Sequence, residues 1–257
     1  MRHFFIEPSA VNAQVVVIGG SEARHIKNVL RLQPGDIIRL FDGTGWEYEA
    51  VINDLFAGRV ETAILRKFPA PAESAAEIIV AQAFLKEKKM DTLVRQLSEL
   101  GVRQWLPFAC ARSVPRPAAT RLAGRLARWR KIAQEALKQC RRADLLTVNA
   151  PMSFADVVNF GQTCEIKFIF WENASSGLDS AAVEARERRQ RRILLMLGPE
   201  GGFTSGEIEH ARNQGFVVAG LGPRILRAET ATVAACALIQ FLFGDMGQKF
   251  LDKNQRI

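Results

Sequence analysis

The chain has 257 residues, 48% hydrophobic and 24% charged, a balance ordinary for a folded soluble protein of one large domain or two modest ones. Its 35 Lys and Arg outnumber 27 Asp and Glu, and the formal charge of +8 points to an anionic partner, nucleic acid ahead of a membrane surface or a small acidic substrate. The scattered cysteines (Cys110, Cys140, Cys164, Cys236) and histidines (His3, His25, His210) argue against a disulfide framework or a metal site, so reduced thiols, no metal and a cytoplasmic location are expected.

The N-terminus, Met1-Arg2-His3-Phe4-Phe5, lacks the apolar core of a signal peptide. β-Like runs follow at Arg2–Ile6, Gln14–Ile18, Asp36–Phe41, Trp46–Ile52 and Gly58–Leu65. Glycine and aspartate at their joints supply hairpin geometry, which predicts a small antiparallel barrel. Within it, Ser21–Arg31 reads as a short helix that Ser21 can cap, with Ile26, Val29 and Leu30 at helical spacing. Arg24, Lys27 and Arg31 remain on its surface, either as a solvated face or as phosphate contacts. Phe68–Ser74 is proline-rich and short of apolar residues; read as a linker, it divides the chain into domains at 1–70 and 71–257.

Beyond the linker, strands and helices alternate, the mark of a parallel sheet covered by helices. Ile78–Phe84 is a strand, Lys86–Leu100 a helix ended by Gly101, and Val102–Cys110 a second strand. Thr120–Arg142 is a long amphipathic helix with a stripe of Leu122, Leu126, Trp129, Ala133, Ala136, Leu137 and Cys140. Its other faces carry Arg121, Arg125, Arg128, Arg130, Lys131, Lys138, Arg141 and Arg142 against a single acid, Glu135. Charge of one sign at that density repels itself and a polyanion relieves it, which favours nucleic acid over a solvated face. Ile166–Trp171 is a further strand, followed by the polar loop Glu172–Gly177, and Arg186–Arg192 is a basic run at an exposed loop or helix end.

Two apolar strands come next, Ile193–Leu197 and Phe216–Leu221, each opening onto a glycine-proline turn: Gly198-Pro199-Glu200-Gly201-Gly202 and Gly222-Pro223. Glycine lets main chain approach a ligand closely, and such loops at the carboxyl ends of neighbouring strands are where an open α/β sheet keeps its ligand. Thr204-Ser205-Gly206-Glu207 fits a capping box, so a helix starts there. Thr230 is placed to cap the helix Ala231–Phe243, which is too short to span a bilayer and reads as core or as a dimer seam. No Gly-x-x-x-x-Gly-Lys-Ser/Thr, dinucleotide fingerprint or Gly-x-Ser-x-Gly elbow occurs, which disfavours nucleotide hydrolysis, NAD chemistry and serine hydrolysis.

Taken together, Gly198–Gly202 and Leu221-Gly222-Pro223-Arg224-Ile225-Leu226-Arg227-Ala228-Glu229-Thr230-Ala231 closely resemble the RsmE family of ribosomal RNA methyltransferases, in the SPOUT superfamily of S-adenosyl-L-methionine enzymes. Arg24-His25-Ile26 with Val29-Leu30-Arg31, Glu99-Leu100-Gly101-Val102, Gln139-Cys140 with Arg142, and Phe243-Gly244-Asp245 carry the resemblance along the chain. The resemblance implies an N-terminal PUA-like β-barrel that binds RNA and a C-terminal SPOUT α/β domain with a deep trefoil knot. It implies a homodimer with S-adenosyl-L-methionine in the knot, and methylation at N3 of a decoding-region uridine in 16S ribosomal RNA, naked or within the small ribosomal subunit. Leu197, Gly198, Glu200, Gly201, Leu221, Gly222, Ile225, Leu226 and Thr230 are the positions it sets around the cofactor.

Uridine N3 must lose a proton before it can attack a sulfonium methyl, so a base or a cation beside the uridinate is needed. Arg227 and Arg142 are the candidates to stabilise the base anion or a nearby phosphate, and Glu229 to orient an arginine or take the proton. A plain helix-end carboxylate is the alternative for Glu229. Arg24, Lys27, Arg31, Arg125 and Arg128 are the expected RNA contacts. Two other readings stay open: a SPOUT methyltransferase acting on another RNA, and a non-catalytic RNA-binding ribosome assembly factor.

Overall fold

The computed structural model describes residues 2–12, 14–70, 74, 76–86, 88–114, 119–140, 142–178 and 191–247. The chain forms two compact units, Met1–Glu73 with Leu137–Leu145, and Ser74–Ala136 with Leu146–Ile257.

The first unit is a six-stranded sheet in the order β1-β4-β5-β6-β3-β2. Its strands are β1 (His3–Phe5), β2 (Val11–Asn12), β3 (Val15–Gly19), β4 (Ile37–Phe41), β5 (Trp46–Phe56) and β6 (Arg59–Pro69). Pairing is antiparallel throughout except between β1 and β4. The β5–β6 register shifts at Glu49/Ala50 and again at Ile52/Asp54. Such bulges bend a strand and raise its twist, and the sheet curls into a half-barrel. Alternate residues face inward, so Ile18, Leu40, Tyr48, Ile52 and Val60 share one core with Phe4 and Ile26. β6 continues through Pro69, so the linker expected from Phe68 begins later; its residues 71–73 lie outside the described residues.

Ser21–Arg31 is not one helix capped by Ser21. Helix α1 (Gly20–Arg24) has Gly19 at its N-cap and no side-chain cap, because the left-handed backbone at Gly20 (φ 64°) turns the chain into the helix one residue before Ser21. It then widens into a π turn over His25–Val29, closed by Leu30 N–H on His25 O at 3.0 Å. The added residue in that turn rotates the apolar stripe, burying Ile26 and half-burying Leu30 but leaving Val29 65% exposed. The returning segment Leu137–Leu145 packs Leu137 and Leu145 against Phe5 and Phe41, and Lys138 pairs with Glu22 at 2.9 Å.

The second unit is an all-parallel sheet of β7 (Ala76–Ala83), β8 (Gln104–Ala109), β9 (Thr147–Val148), β10 (Met152–Ser153), β11 (Ile166–Phe170), β12 (Arg191–Leu197) and β13 (Val217–Ala219). Their order is β10-β8-β7-β12-β11-β13, with β9 also on β8. Around it run α2 (Lys89–Glu99), α3 (Ala119–Cys140), α4 (Phe154–Phe160), α5 (Ser205–Asn213) and α6 (Ala228–Phe243). Ile78–Val80 and Ile193–Met196 have no exposed surface, as expected of strands covered on both faces. Gly101, at φ 76°, ends α2 in the left-handed conformation that a helix C-terminus favours.

Helix α3 stops at Cys140 rather than Arg142; Arg141 lies outside the described residues, as do 186–190 of the basic run Arg186–Arg192. Trp129, Ala133, Ala136 and Leu137 of its stripe are buried, and Leu122, Leu126 and Cys140 half-buried. Asp91 of α2 takes hydrogen bonds from Trp129 Nε1 and Arg128 Nε, both 2.9 Å, so an acid from another helix relieves part of the helix's charge. Among the described residues, no helix is long and apolar enough to cross a membrane.

Candidate functional site

Strands β12, β11 and β13 are consecutive in the second sheet, so their carboxyl ends lie side by side. The loops that leave them, 198–204, 171–177 and 220–227, line a cavity of about 780 Å³. Sites for small molecules usually measure about 300–1,000 Å³ and sit at such strand ends. Two glycines shape it. Gly202 adopts φ 65°, a left-handed conformation that favours glycine, and a Cβ there would stand 2.5 Å from Glu172 Oε1, so any other residue strains the turn and displaces the Glu172 carboxylate. Gly222, at φ 94°, makes the turn that swings the third loop round with no neighbour in the way.

The 198–204 loop is held from several sides. Gln82, buried at the carboxyl end of β7, donates from Nε2 to Gly198 O and Ala83 O, each at 3.1 Å. Its Oε1 accepts the Thr232 hydroxyl, which ties the exit of β12 to α6. Arg112 donates to Gly201 O at 3.0 Å and Phe203 O at 3.3 Å. The capping box read from the sequence is present: Thr204 Oγ1 accepts Glu207 N–H at 3.2 Å and Glu207 Oε2 accepts Thr204 N–H at 2.9 Å. The other Glu207 oxygen accepts Ala111 N–H at 2.8 Å, so the cap also anchors the loop after β8.

Charge collects where α2, the 198–204 loop and α6 meet. Lys89 Nζ lies 3.1 Å from Glu200 Oε1 and 3.2 Å from Glu229 Oε2, one ammonium between two carboxylates. Burial pushes the Glu200 carboxyl up, but backbone N–H groups of Glu200 and Lys86, then the Lys89 ammonium, outweigh it and hold it below its ordinary value. The hydrogen bond to Glu200 holds Lys89 above its ordinary value against an opposing burial effect, with Glu229 adding to the rise. Both groups therefore stay charged at neutral pH.

Leu197, Gly198 and Glu200, with Leu221, Gly222, Ile225 and Leu226, line the cavity, as does Arg227. Gly201, Glu229 and Thr230 are not among its lining residues: Gly201 packs on Arg112, Glu229 turns to Lys89, and Thr230 is exposed. Thr230 does not cap its helix either. Ala231 N–H already bonds Arg227 O at 2.8 Å, so α6 starts at Ala228 with extended Arg227 as N-cap, and Thr230 falls inside the first turn. Arg142 belongs to the Leu137–Leu145 segment of the first unit and does not line the cavity. Arg24, Lys27 and Arg31 are exposed on the first unit; on α3, Arg125 is half-buried and Arg128 exposed while bonded to Asp91.

Sequence reasoning missed Lys89, Gln82 and the lining role of the 171–177 loop. That loop stood out as polar, but its role depends on β11 lying between β12 and β13, a neighbourhood that no local pattern reports.

A family model described as an RNA methyltransferase domain matches residues 72–240, and one described as an RNA methyltransferase PUA domain matches residues 18–62. The chain is 30% identical over 247 residues to the ribosomal RNA small subunit methyltransferase E of Bacillus subtilis (strain 168), covering 94% of this chain and 96% of that one. Among solved structures it is similar to a ribosomal RNA small subunit methyltransferase E from Neisseria gonorrhoeae bound to S-adenosyl methionine, with 31% identity, TM-score 0.79, and 96% and 99% of the two chains covered. A methyltransferase from Legionella pneumophila in complex with the same cofactor is similar at 26% identity and TM-score 0.80, with 95% and 98% covered.

Proposed function

The chain belongs to the ribosomal RNA small subunit methyltransferase E family, and on that footing we propose that it methylates N3 of a decoding-region uridine in 16S ribosomal RNA, using S-adenosyl-L-methionine. The observation that carries this reading is the glycine-shaped cavity of about 780 Å³ at three adjacent strand ends. Leu197, Leu221, Ile225 and Leu226 offer apolar surface to an adenosine and to the carbon chain on the sulfonium, and the loops offer backbone N–H and C=O groups. The cofactor, when bound, supplies an electrophilic methyl group on a sulfonium.

The residues of the chain must then manage the N3 proton. Arg227 lines the cavity at the N-cap of α6, where its guanidinium stabilises a uridinate. Glu229 takes the proton or orients the arginine, and Lys89, bridging Glu229 and Glu200, holds that carboxylate in place. Arg142 serves the base anion or an adjoining phosphate.

The same reading includes a deep trefoil knot in the C-terminal domain, division of the chain into domains near residues 70–71, and a cytoplasmic location beside ribosome assembly. It also includes a homodimer. Leu238 (43% exposed) and Phe241 (62% exposed) leave an apolar strip on α6 that a second copy would cover. Arg24, Lys27 and Arg31 with Arg125 and Arg128 supply cations for the RNA backbone.

Arg227→Ala is expected to lower kcat about 100-fold while leaving the cofactor dissociation constant within about twofold. Unchanged turnover in single-turnover assays removes the uridinate-stabilising role. Mass mapping of 16S RNA from a deletion strain tests the target: an unmodified N3 that the gene restores supports the assignment, and an unchanged nucleoside pattern overturns it. Calorimetry that finds no S-adenosyl-L-methionine binding would return the chain to the class of non-catalytic assembly factors.

A further inference from the structure

Two sequence stretches have no role in the cavity just described: Arg24-His25-Ile26 with Val29-Leu30-Arg31, and Lys138-Gln139-Cys140. Far apart in the chain, they meet in the first unit. A second cleft there, of about 350 Å³, is lined by Arg2, His3, Phe4, His25, Leu30, Lys138 and Gln139. We propose that this cleft is a nucleotide-binding subsite, which takes one unpaired nucleotide of the RNA substrate away from the methylated base. The proposal rests on the RNA-methyltransferase reading above and adds to it a place where the strand is gripped.

The chemistry of the lining suits a nucleotide. Arg2 and Lys138 are cations, His3 and His25 are imidazoles, Gln139 is an amide, and among the described residues no carboxylate lines the cleft. Cations engage a phosphate, imidazole planes stack on a base, and an amide both donates to and accepts from a base edge. Arg2, His3, His25 and Gln139 are exposed, so these groups are accessible to solvent. A volume of about 350 Å³ lies at the small end of ligand sites, which suits a single nucleotide.

The cleft is also braced. Arg2 Nη1 donates to Leu30 O at 3.2 Å, which joins its two sides. Lys138 is held by Glu22 at 2.9 Å, so Glu22 offsets part of the charge while fixing the ammonium. The His25 ring stands edge-on to buried Phe4 at 6.4 Å. His25 opens the π turn, and Arg31 just beyond it is held at φ 53°, a left-handed conformation unusual for arginine. Irregular helix and backbone strain of this kind concentrate where a site has to be shaped.

The test uses the full-length chain with His25→Ala, Gln139→Ala and Gln139→Glu. Each is assayed for thermal melting, S-adenosyl-L-methionine affinity by calorimetry, and kcat and KM on small-subunit ribosomal RNA. A fluorescein-labelled single-stranded RNA gives a binding readout that does not depend on turnover. The expected result is parental melting and cofactor affinity, kcat within about twofold, and KM and RNA dissociation constant raised about tenfold for the alanine variants. Gln139→Glu should weaken binding further than Gln139→Ala at low salt, with the gap closing as salt rises. Parental KM and RNA affinity in both alanine variants overturn the proposal. So does a loss that tracks lowered melting and is absent from the better-folded Gln139→Glu. If the parent chain binds RNA but transfers no methyl group, the enzymatic reading fails while the binding comparison still decides the subsite.

Discussion

Gln82 is wholly buried, and both ends of its amide are in use: Nε2 on Ala83 O and Gly198 O, Oε1 on the Thr232 hydroxyl. Replacing it with leucine strands those partners inside the protein. Each unsatisfied buried group costs about 1–3 kcal/mol, so Gln82→Leu should lower the urea midpoint and weaken cofactor binding about tenfold. Calorimetry checks the second effect, and parental affinity would mean that the loop does not depend on this amide. Glycines give a sharper contrast. Gly202→Ala forces a Cβ to within 2.5 Å of Glu172 Oε1 at φ 65°, whereas Gly206 in α5 faces open space. The first should reduce cofactor affinity at least about tenfold; the second should leave it alone and add up to about 1 kcal/mol to stability. Position decides this difference. Both residues are glycines in one short polar stretch; the left-handed backbone at Gly202 and the approach of Glu172 from the preceding strand's loop separate them.

At the level of elements, α5 begins where its capping box said it would, because the box is local: three residues apart, each partner satisfies the other's backbone. Thr204→Ala should cost about 1 kcal/mol in urea unfolding and also loosen the loop after β8, which Glu207 holds through Ala111 N–H. The start of α6 was not legible in the same way, since neither Arg227 nor Thr230 makes a side-chain cap and the turn before it sets the first hydrogen bond. The link between α2 and the 198–204 loop is ionic and therefore titrates. The folded pKa of Glu200 lies below its unfolded value, so its contribution to stability is present above the ordinary glutamate range of about 4.3. It is lost as pH falls through the lower folded value. Urea stability measured from neutral pH down to about pH 3 should therefore fall less steeply in Glu200→Gln than in the parent. Equal slopes would show that Glu200 keeps no favourable partners in the fold.

For the whole molecule, the +8 charge predicts a strong salt dependence of RNA binding. Replacing Arg24, Lys27 and Arg31 together with alanine should weaken binding to any RNA sequence and flatten the salt slope by about one for each phosphate no longer neutralised. A slope unchanged in the triple variant would move the RNA-binding surface elsewhere. The linear order of the chain also hides how its mass is shared. The division between the two units falls inside α3, and Leu137–Leu145 packs with a sheet built more than 60 residues earlier, in Met1–Glu73. The amphipathic pattern of α3 predicts a buried stripe but not which core each end of the stripe enters.

Residue order was enough to specify the two kinds of sheet, the basic character of the chain, the capping box of α5, and the paired glycine turns that carry the family resemblance. These follow from local rules: hydrophobic period, turn chemistry, capping and motif spacing act over a few residues. It took the folded chain to put β11 beside β12 and β13, Lys89 between Glu200 and Glu229, and Gln82 against the loop it braces. Folding likewise brought His25 and Gln139 to one cleft. The cause is separation along the chain: the contacts that close both sites join segments as much as 150 positions apart, as between Gln82 and Thr232, where no residue pattern records which neighbours will meet.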